Sequence, residues 1–449
     1  MSALSSSHLS RSWRRPEQSL VLVIGGAGYI GSALLAKLLA EGRRVRVMDL
    51  LLYGTGPIKD LLGHPNLEVI QADLRGIHFL VNAMQGVDEI VHLAGIVGHD
   101  PACAIHEDLT IDMNVAAMRN LAEIAKGANV RKFVFASTCS VYGTSNEVFN
   151  ERSVLNPVSL YARAKLASER VLLSVTDENF QPIILRFPAI YGVSGRMRLD
   201  LAVNLLTAKA VLEGEIPVHG GSQWRPFLHV EDAADAVLLA LRQQLHSEFL
   251  DSQVFNVGSN DQNYQIRQIS ELVRRCVPDS KLVVLSDAED EGDCRVQFSK
   301  FKRMFRFRPR WTLEHGIKQV REFVTTHRHF MLDAVLAGNS GNVGLSAGLK
   351  SGEPSMLHPG SAVYEMPPLG AQRLLYFVLP RKNRQDIIGD LAEEYKTEIL
   401  PRLGRRGAVV WYWSQAIRSV APVVYRALVK SSVLAGVAKF LSWLWRKLM

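Results

Sequence analysis

Residues Val21–Gly42 read VLVIGGAGYIGSALLAKLLAEG: a short β-branched apolar run, then Gly25, Gly26, Gly28 and Gly31, then a helix-period stretch. Glycines at these places let the chain turn sharply from strand to helix, approach a pyrophosphate with bare main chain, and pack the helix on the strand. The helix start offers free N–H groups and the positive end of its dipole to phosphates. Asp49 follows Gly28 by 21 residues, at the end of the next β-branched run, RVRVMD. A carboxylate there accepts ribose hydroxyls and repels a 2′-phosphate. The stretch predicts a dinucleotide-binding strand–loop–helix that prefers NAD to NADP.

Working outward, the same alternation recurs. Strands are expected at Leu20–Ile24, Arg44–Asp49, Leu67–Ala72, Glu89–Ala94, Lys132–Ser137 and Pro182–Phe187. Helices are expected at Tyr29–Glu41, Asp108–Lys126, Leu160–Ser174 and Leu199–Glu213. Hydrophobic strands alternating with helices imply an α/β fold whose doubly wound parallel sheet is covered on both faces, a Rossmann-type arrangement. A smaller α/β substrate-binding region is expected over 188–330. Of the 449 residues 47% are hydrophobic and 21% charged, which excludes whole-chain disorder and collagen-like or disulfide-scaffold classes. No uncharged apolar run reaches about 18 residues, which disfavours a polytopic membrane protein. Cys103, Cys139, Cys276 and Cys294 have no paired or metal-ligand spacing, and the polar N-terminus lacks a signal peptide's apolar stretch. Both features point to the cytoplasm. Residues 1–18 read as a disordered arm and 19–330 as the nucleotide-binding domain.

Tyr161 and Lys165 stand at i, i+4 on an expected helix and share one face. Strand Lys132–Ser137 runs into Thr138, a hydroxyl at the sheet's carboxyl edge, where open α/β sheets bind ligands. With these residues the sequence resembles the extended short-chain dehydrogenase/reductases, in particular their NAD-dependent nucleotide-sugar epimerase/dehydratase branch. The likeness covers about residues 19–325. GGAGYIGS, Asp73-Leu74, Leu93-Ala94-Gly95, Asn114 in MNV, Ser137-Thr138 before VYG, YARAK, RFPAIYG, GGSQWRPFLHVEDAADA and FNVGS follow in the family's order. The resemblance implies NAD held by Gly25, Gly28, Tyr29, Ile30, Gly31, Asp49, Asp73, Leu74, Leu93, Ala94, Gly95, Asn114, Ser137, Tyr161 and Lys165. It implies catalysis by Thr138, Tyr161 and Lys165, and a homodimer.

The chemistry follows from the groups. A phenol of pKa about 10 becomes a useful base only when its anion gains roughly 4 kcal/mol, which the Lys165 ammonium and a cationic nicotinamide ring would help supply. Tyr161 would then take a sugar hydroxyl's proton while Thr138 orients the same oxygen. The resemblance also implies a nucleotide-diphosphate sugar held by Arg225 and Arg295, with Asn204 at the nucleotide; guanidinium groups suit phosphate because they bind it in a fork. The expected activity is nucleotide-sugar epimerisation through a 4-keto intermediate. A 4-keto-sugar reductase or dehydrogenase, and a non-catalytic NAD-binding membrane scaffold, are the alternatives.

Two departures narrow the reaction. The family's 4,6-dehydratases follow the catalytic Thr with Asp-Glu, and here Cys139-Ser140 stand there without a carboxylate. Dehydration is therefore disfavoured. Ala189 replaces the Asn of many 4-epimerases. Cys139 reads as a packing residue, and His92 and His99 lack metal-ligand spacing, so no metal is expected.

Residues 331–371, rich in Gly, Ser and Pro, read as a flexible linker, and 372–449 as a separate helical module. The chain's net charge of +8 sits in its tail: 401–449 hold nine Lys/Arg and no Asp or Glu. Residues 372–422 resemble a helical prefix found ahead of some bacterial efflux-type permeases, which implies membrane proximity. Basic residues dispersed among Trp, Leu and Val in 407–449 suit an anionic membrane surface better than nucleic acid.

Overall fold

The computed structural model describes residues 19–96, 110–243, 253–285 and 292–328, the pair 343–344, and parts of 368–430. The chain divides into two compact units: residues up to Gln71 with Met84–Leu349, and Ala72–Ala83 with Lys350–Met449.

The first unit is built on seven strands: β1 Leu20–Ile24, β2 Arg44–Asp49, β3 Leu67–Gln71, β4 Glu89–His92, β5 Lys132–Thr138, β7 Pro182–Phe187 and β12 Val254–Asn256. They form one sheet in the order β12-β7-β5-β4-β1-β2-β3, and every pairing is parallel. The expected Rossmann-type sheet is therefore present. Every residue of β1, β4 and β7 is buried, as strands covered on both faces must be, whereas the edge strand β3 is only partly covered. Chain order reverses between β1 and β4, which opens a crevice at their carboxyl ends.

The helices of this unit are α1 Tyr29–Ala40, α3 Ala117–Gly127, α4 Leu160–Ser174, α5 Ala202–Leu212, α6 Val230–Arg242, α7 Ile266–Cys276, α8 Ser299–Phe305 and α9 Leu313–Thr326. A π turn at Asp112–Ala116 leads into α3, where one continuous helix is expected from the sequence; residues 97–109, with His99 and Cys103, lie outside the described residues. The stretch expected from the sequence to bind substrate adds β8 Ala189–Tyr191, β11 Trp224–His229 and β13 Asn263–Gln265 in a three-stranded sheet. β10 Glu215–His219 pairs with β14 Lys281–Leu285, and β6 Val148–Phe149 with β15 Arg295–Val296. β16 Val343–Gly344, within the stretch expected to be a linker, pairs antiparallel with β9 Arg196–Met197.

The second unit contains α2 Ile77–Ala83, α10 Arg384–Glu394 and α11 Leu400–Lys430. Ala408, Tyr412, Ala416 and Val420 recur every four residues and join Leu375, Ile388 and Tyr395 in a small core. The helix continues through Pro422. Among the described residues, no helix is long and apolar enough to cross a membrane.

Candidate active site

The glycine loop is tight for a reason visible at each position. Gly25 has φ +84°, and a Cβ there would lie 2.6 Å from the Ala94 nitrogen. A Cβ on Gly31 would lie 2.4 Å from the Gly25 carbonyl oxygen. Gly28 caps α1 in extended conformation with no side chain over the helix start. The first turn of α1 is thus presented bare, as a pyrophosphate requires.

Asp49 ends β2 beside this loop. Its carboxylate accepts hydrogen bonds from the main-chain N–H groups of Ala27 (3.0 Å) and Leu51 (2.9 Å). Burial raises its pKa, while those two bonds and the nearby Arg196 oppose the rise. Two lone-pair sites are taken by the protein and others are left for ribose hydroxyls. The glycine cradle and this carboxylate fit NAD. Arg196 itself stacks on the Tyr53 ring at 3.6 Å.

After β4, the N–H groups of Leu93 and Ala94 both bond the Ile24 carbonyl, which joins this segment to the end of β1. Gly95 (φ +158°) has no room for a side chain: a Cβ would meet Asn114 Oδ1 at 2.7 Å and Lys165 Nζ at 3.5 Å. The Asn114 amide closes a two-way bond with the Ile96 main chain, at 3.1 and 3.2 Å. Ser168 Oγ donates to the Asn114 carbonyl at 2.5 Å, tying the π turn to α4.

Helix α4 begins at a Ser159 cap whose Oγ accepts from Ala162 N–H at 3.1 Å. Tyr161 on its first turn is half-buried. Lys165, one turn on, is buried; its ammonium donates to the Ala136 carbonyl at 2.8 Å and stands 4.6 Å from the centre of the Phe135 ring. Burial lowers its pKa to about 8, opposed by the Glu169 carboxylate. Thr138, at the end of β5, accepts a 3.1 Å bond from Ser140 N–H and so caps the turn Cys139–Tyr142. Asp49, Gly25, Ala94, Gly95, Asn114, Lys165 and Thr138 thus line the carboxyl ends of β2, β1, β4 and β5.

Several expected ligand contacts are committed elsewhere. Asn204 is fully buried; its amide accepts from Gly192 N–H (2.9 Å) and donates to the Arg198 carbonyl (2.9 Å) and the Tyr29 hydroxyl (3.0 Å). In the structure the Asn204 amide is thus bonded to the protein's own main chain and to Tyr29, at a residue expected from the sequence to contact the nucleotide. The Tyr29 hydroxyl in turn donates to the Gly192 carbonyl, so the side chain braces α1 against the segment after β8. Ser137 Oγ donates its proton to Glu169. Half-buried Ile30 packs against the main core. Asp73 turns its carboxylate onto Arg75 and Leu74 is buried, both within the second unit.

Arg225 and Arg295 flank Trp224. Arg225 donates to the carbonyls of Trp224 (2.8 Å) and Gly292 (2.7 Å). Arg295 bonds the Asn146 carbonyl and lies 5.7 Å from the Trp224 ring. Asp293 and Ser145 bond through their main chains, so this segment adjoins the loop that continues from the Thr138 turn. Cys139 is buried, its thiol donates to the Arg186 carbonyl at 3.4 Å, and burial raises its pKa well above the usual thiol range. It packs in a buried cluster with Tyr142, Phe149 and Cys294. Among the described residues no group of three or more His, Cys, Asp or Glu side chains is arranged to hold a metal ion.

What the sequence reading missed is a buried ion pair, Glu169 with Arg186 at 2.6 Å. The signal was present: an arginine inside PIILRF, a strand expected to be covered on both faces, demands a buried partner.

The NAD dependent epimerase/dehydratase family matches residues 21–258. An uncharacterized UDP-glucose epimerase, YtcB, of Bacillus subtilis (strain 168) is 28% identical over 311 residues, covering 66% of this chain and 95% of that protein. A UDP-glucose 4-epimerase of Lacticaseibacillus casei is 30% identical over 265 residues, covering 53% of this chain and 76% of that protein. The structure of UDP-glucuronic acid 4-epimerase from Bacillus cereus, in complex with UDP-glucuronic acid and NAD, superposes with a TM-score of 0.61 at 25% identity, over 68% of this chain and 99% of that one. With the glycine cradle, the acid at the end of β2 and the Tyr–Lys helix in place, a match over more than half its length makes this chain a member of the NAD dependent epimerase/dehydratase family.

Proposed function

We propose that the protein is a nucleotide-sugar 4-epimerase in which Tyr161 is the base, Thr138 the orienting hydroxyl and Lys165 the charge that favours phenolate. The observation that carries this reading is the meeting of Lys165, Asn114 and Gly95 beside the β5 end that bears Thr138. NAD, when bound, supplies the hydride acceptor for the sugar carbon. Tyr161 takes the proton from the hydroxyl on that carbon and later returns it. Thr138, its backbone held at the strand end, orients the reacting oxygen. Lys165, one helical turn from Tyr161, favours the phenolate by its charge, and positioned proton transfer of this kind contributes about 10²–10⁴ in rate.

The diphosphate of the substrate meets Arg225 and Arg295 in this reading, supported by their shared position around Trp224. The relatives named as UDP-glucose and UDP-glucuronate epimerases support a UDP-sugar. Cys139 and Ser140 offer no carboxylate, which argues against 4,6-dehydration. The protein is taken as a cytoplasmic homodimer; the free thiols of Cys139, Cys276 and Cys294 support a reducing compartment. The helical module is taken to rest on anionic lipid. In support, α11 exposes Leu403, Val410, Trp413 and Ile417 within an arc of about 80°, bordered by exposed Arg402 and Arg418.

The test is a panel of UDP-, GDP-, CDP- and dTDP-sugars with NAD, products resolved by chromatography and mass spectrometry. An epimer of unchanged mass is expected from at least one, and Tyr161→Phe is expected to lower turnover at least about 100-fold while NAD binding and fold persist. No turnover by the wild type, net reduction of NAD to NADH, or a product lacking water would each overturn the epimerase reading; near wild-type turnover in Tyr161→Phe would remove Tyr161 as the base.

A further inference from the structure

Glu169 lies one turn beyond Lys165 on α4 and is almost wholly buried. Its Oε1 accepts hydrogen bonds from Ser137 Oγ and from Arg186 Nε (3.0 Å), and its Oε2 accepts from the Arg186 guanidinium at 2.6 Å. The same guanidinium donates to the Tyr142 hydroxyl at 2.9 Å and lies 5.0 Å from the centre of that ring. Tyr142 donates onward to Asn256 Oδ1 at 2.8 Å. One carboxylate therefore joins four elements: α4, which carries Tyr161 and Lys165; β5, whose Ser137 immediately precedes Thr138; β7, which carries Arg186; and the turn that Thr138 caps and Tyr142 closes.

We propose that Glu169 is a positioning residue of the reaction, holding the Thr138 strand end in register with the Tyr161–Lys165 face of α4 through Ser137 and Arg186, and keeping a negative charge one turn from the Lys165 ammonium. The inference rests on the proposed catalytic roles of Thr138, Tyr161 and Lys165.

A buried ion pair is an expensive way to fill a core, because apolar residues of equal volume stabilise as well or better. Here the pair sits where the strand and the helix bearing the reactive groups meet, and its fork geometry fixes distance and angle in a way apolar contact does not. Charge matters too. Lys165 faces the Glu169 carboxylate, the Asn114 amide and the His92 imidazole, which burial keeps neutral. Glu169 faces Arg186, Lys165 and Ser137, and in the surrounding turn Tyr142 and Cys139 are held protonated by burial. Among these, the Glu169 carboxylate is the group that opposes the loss of the Lys165 proton.

The test uses the full-length protein with NAD and three variants: Glu169→Gln, Glu169→Asp, and the double change Glu169→Gln with Arg186→Met. The double variant leaves neither charge unpaired, so it reports on position where the single change fails to fold. Expected for the folded double variant are a kcat lower by about ten- to a hundredfold, a KM for the sugar nucleotide within about threefold, and a basic limb of the pH–rate profile moved to lower pH. Glu169→Asp, which keeps the charge on a shorter arm, is expected to restore that limb and not the full kcat. A second readout needs neither NAD nor turnover: heteronuclear NMR of lysine-labelled protein, in which the Lys165 ammonium, assigned by its loss in Lys165→Met, titrates at lower pH in the double variant. A folded double variant with wild-type kcat, or an unmoved lysine titration, overturns the proposal. Absence of turnover in the wild type would instead sink the epimerase reading, and the lysine titration would still decide the role of Glu169.

Discussion

His92 shows how far a single residue can be moved by its surroundings. It ends β4 fully enclosed, its ring 5.6 Å from that of Phe135, and burial, with the Lys165 charge nearby, lowers its pKa to about 3. His229 is lowered to about 4 by burial, with the bond to Gln319 opposing. Its Nδ1 accepts from Glu231 N–H, so its Nε2 carries the proton given to Gln319. Both imidazoles are neutral in the native protein, whereas the unfolded chain protonates them near pH 6.5. Stability from these groups is complete above pH 6.5 and is lost as pH falls from there toward 4 and 3, because the unfolded state alone takes up protons. Between pH 7 and 5 each histidine is expected to remove about 2 kcal/mol. Urea unfolding at the two pH values checks this: His92→Leu should lose about 2 kcal/mol less stability over that interval than the wild type, and an equal loss would mean that His92 is not held neutral.

At the scale of elements, helix α4 carries Tyr161 and Lys165, the proposed catalytic pair, on its first two turns, so its start matters more than its length. Ser159 caps it through Ala162 N–H, and no acidic residue in the first turn assists. Removing the cap with Ser159→Ala is expected to cost about 1 kcal/mol of stability. The fraying begins next to Tyr161, so turnover should fall by more than that global loss explains. Chemical denaturation alongside kcat at saturating sugar nucleotide measures both, and unchanged kcat with reduced stability would show that the first turn is held by packing alone. Strand β7 makes the complementary point. Its sequence PIILRF reads as a buried strand, and it is one, yet Arg186 inside it is legible as a charged residue needing a partner and not as the partner of Glu169.

For the whole molecule, the strand order sets the site, since the reversal between β1 and β4 brings the glycine loop and the segment after β4 together. The helical unit carries a different kind of surface. From residue 399 to 430 six Lys/Arg stand with no Asp or Glu, and the exposed apolar stripe of α11 lies between two of them. Flotation with anionic vesicles at low salt is expected to carry the full chain and leave a chain ending at Ala371 behind, with binding falling as salt rises. Equal behaviour of the two chains, or equal binding to neutral vesicles, would count against the membrane surface.

The glycine spacing, the strand–helix alternation and the i, i+4 pair Tyr161–Lys165 were legible in the sequence alone, because each is local: steric room at Gly25 and Gly31, the helical period and the burial pattern of a strand are properties of neighbouring residues. Tertiary structure alone decided where the polar side chains spend their bonds. Asn204 reaches the Tyr29 hydroxyl across 175 residues of sequence, Tyr142 reaches Asn256 across 114, and Ser137 reaches Glu169 across 32. An amide or a hydroxyl has the same composition whether it meets a nucleotide or a backbone carbonyl. Which of these it meets depends on how distant segments are brought together and on the cost of leaving a buried polar group unpaired, and neither is written in the spacing of its neighbours.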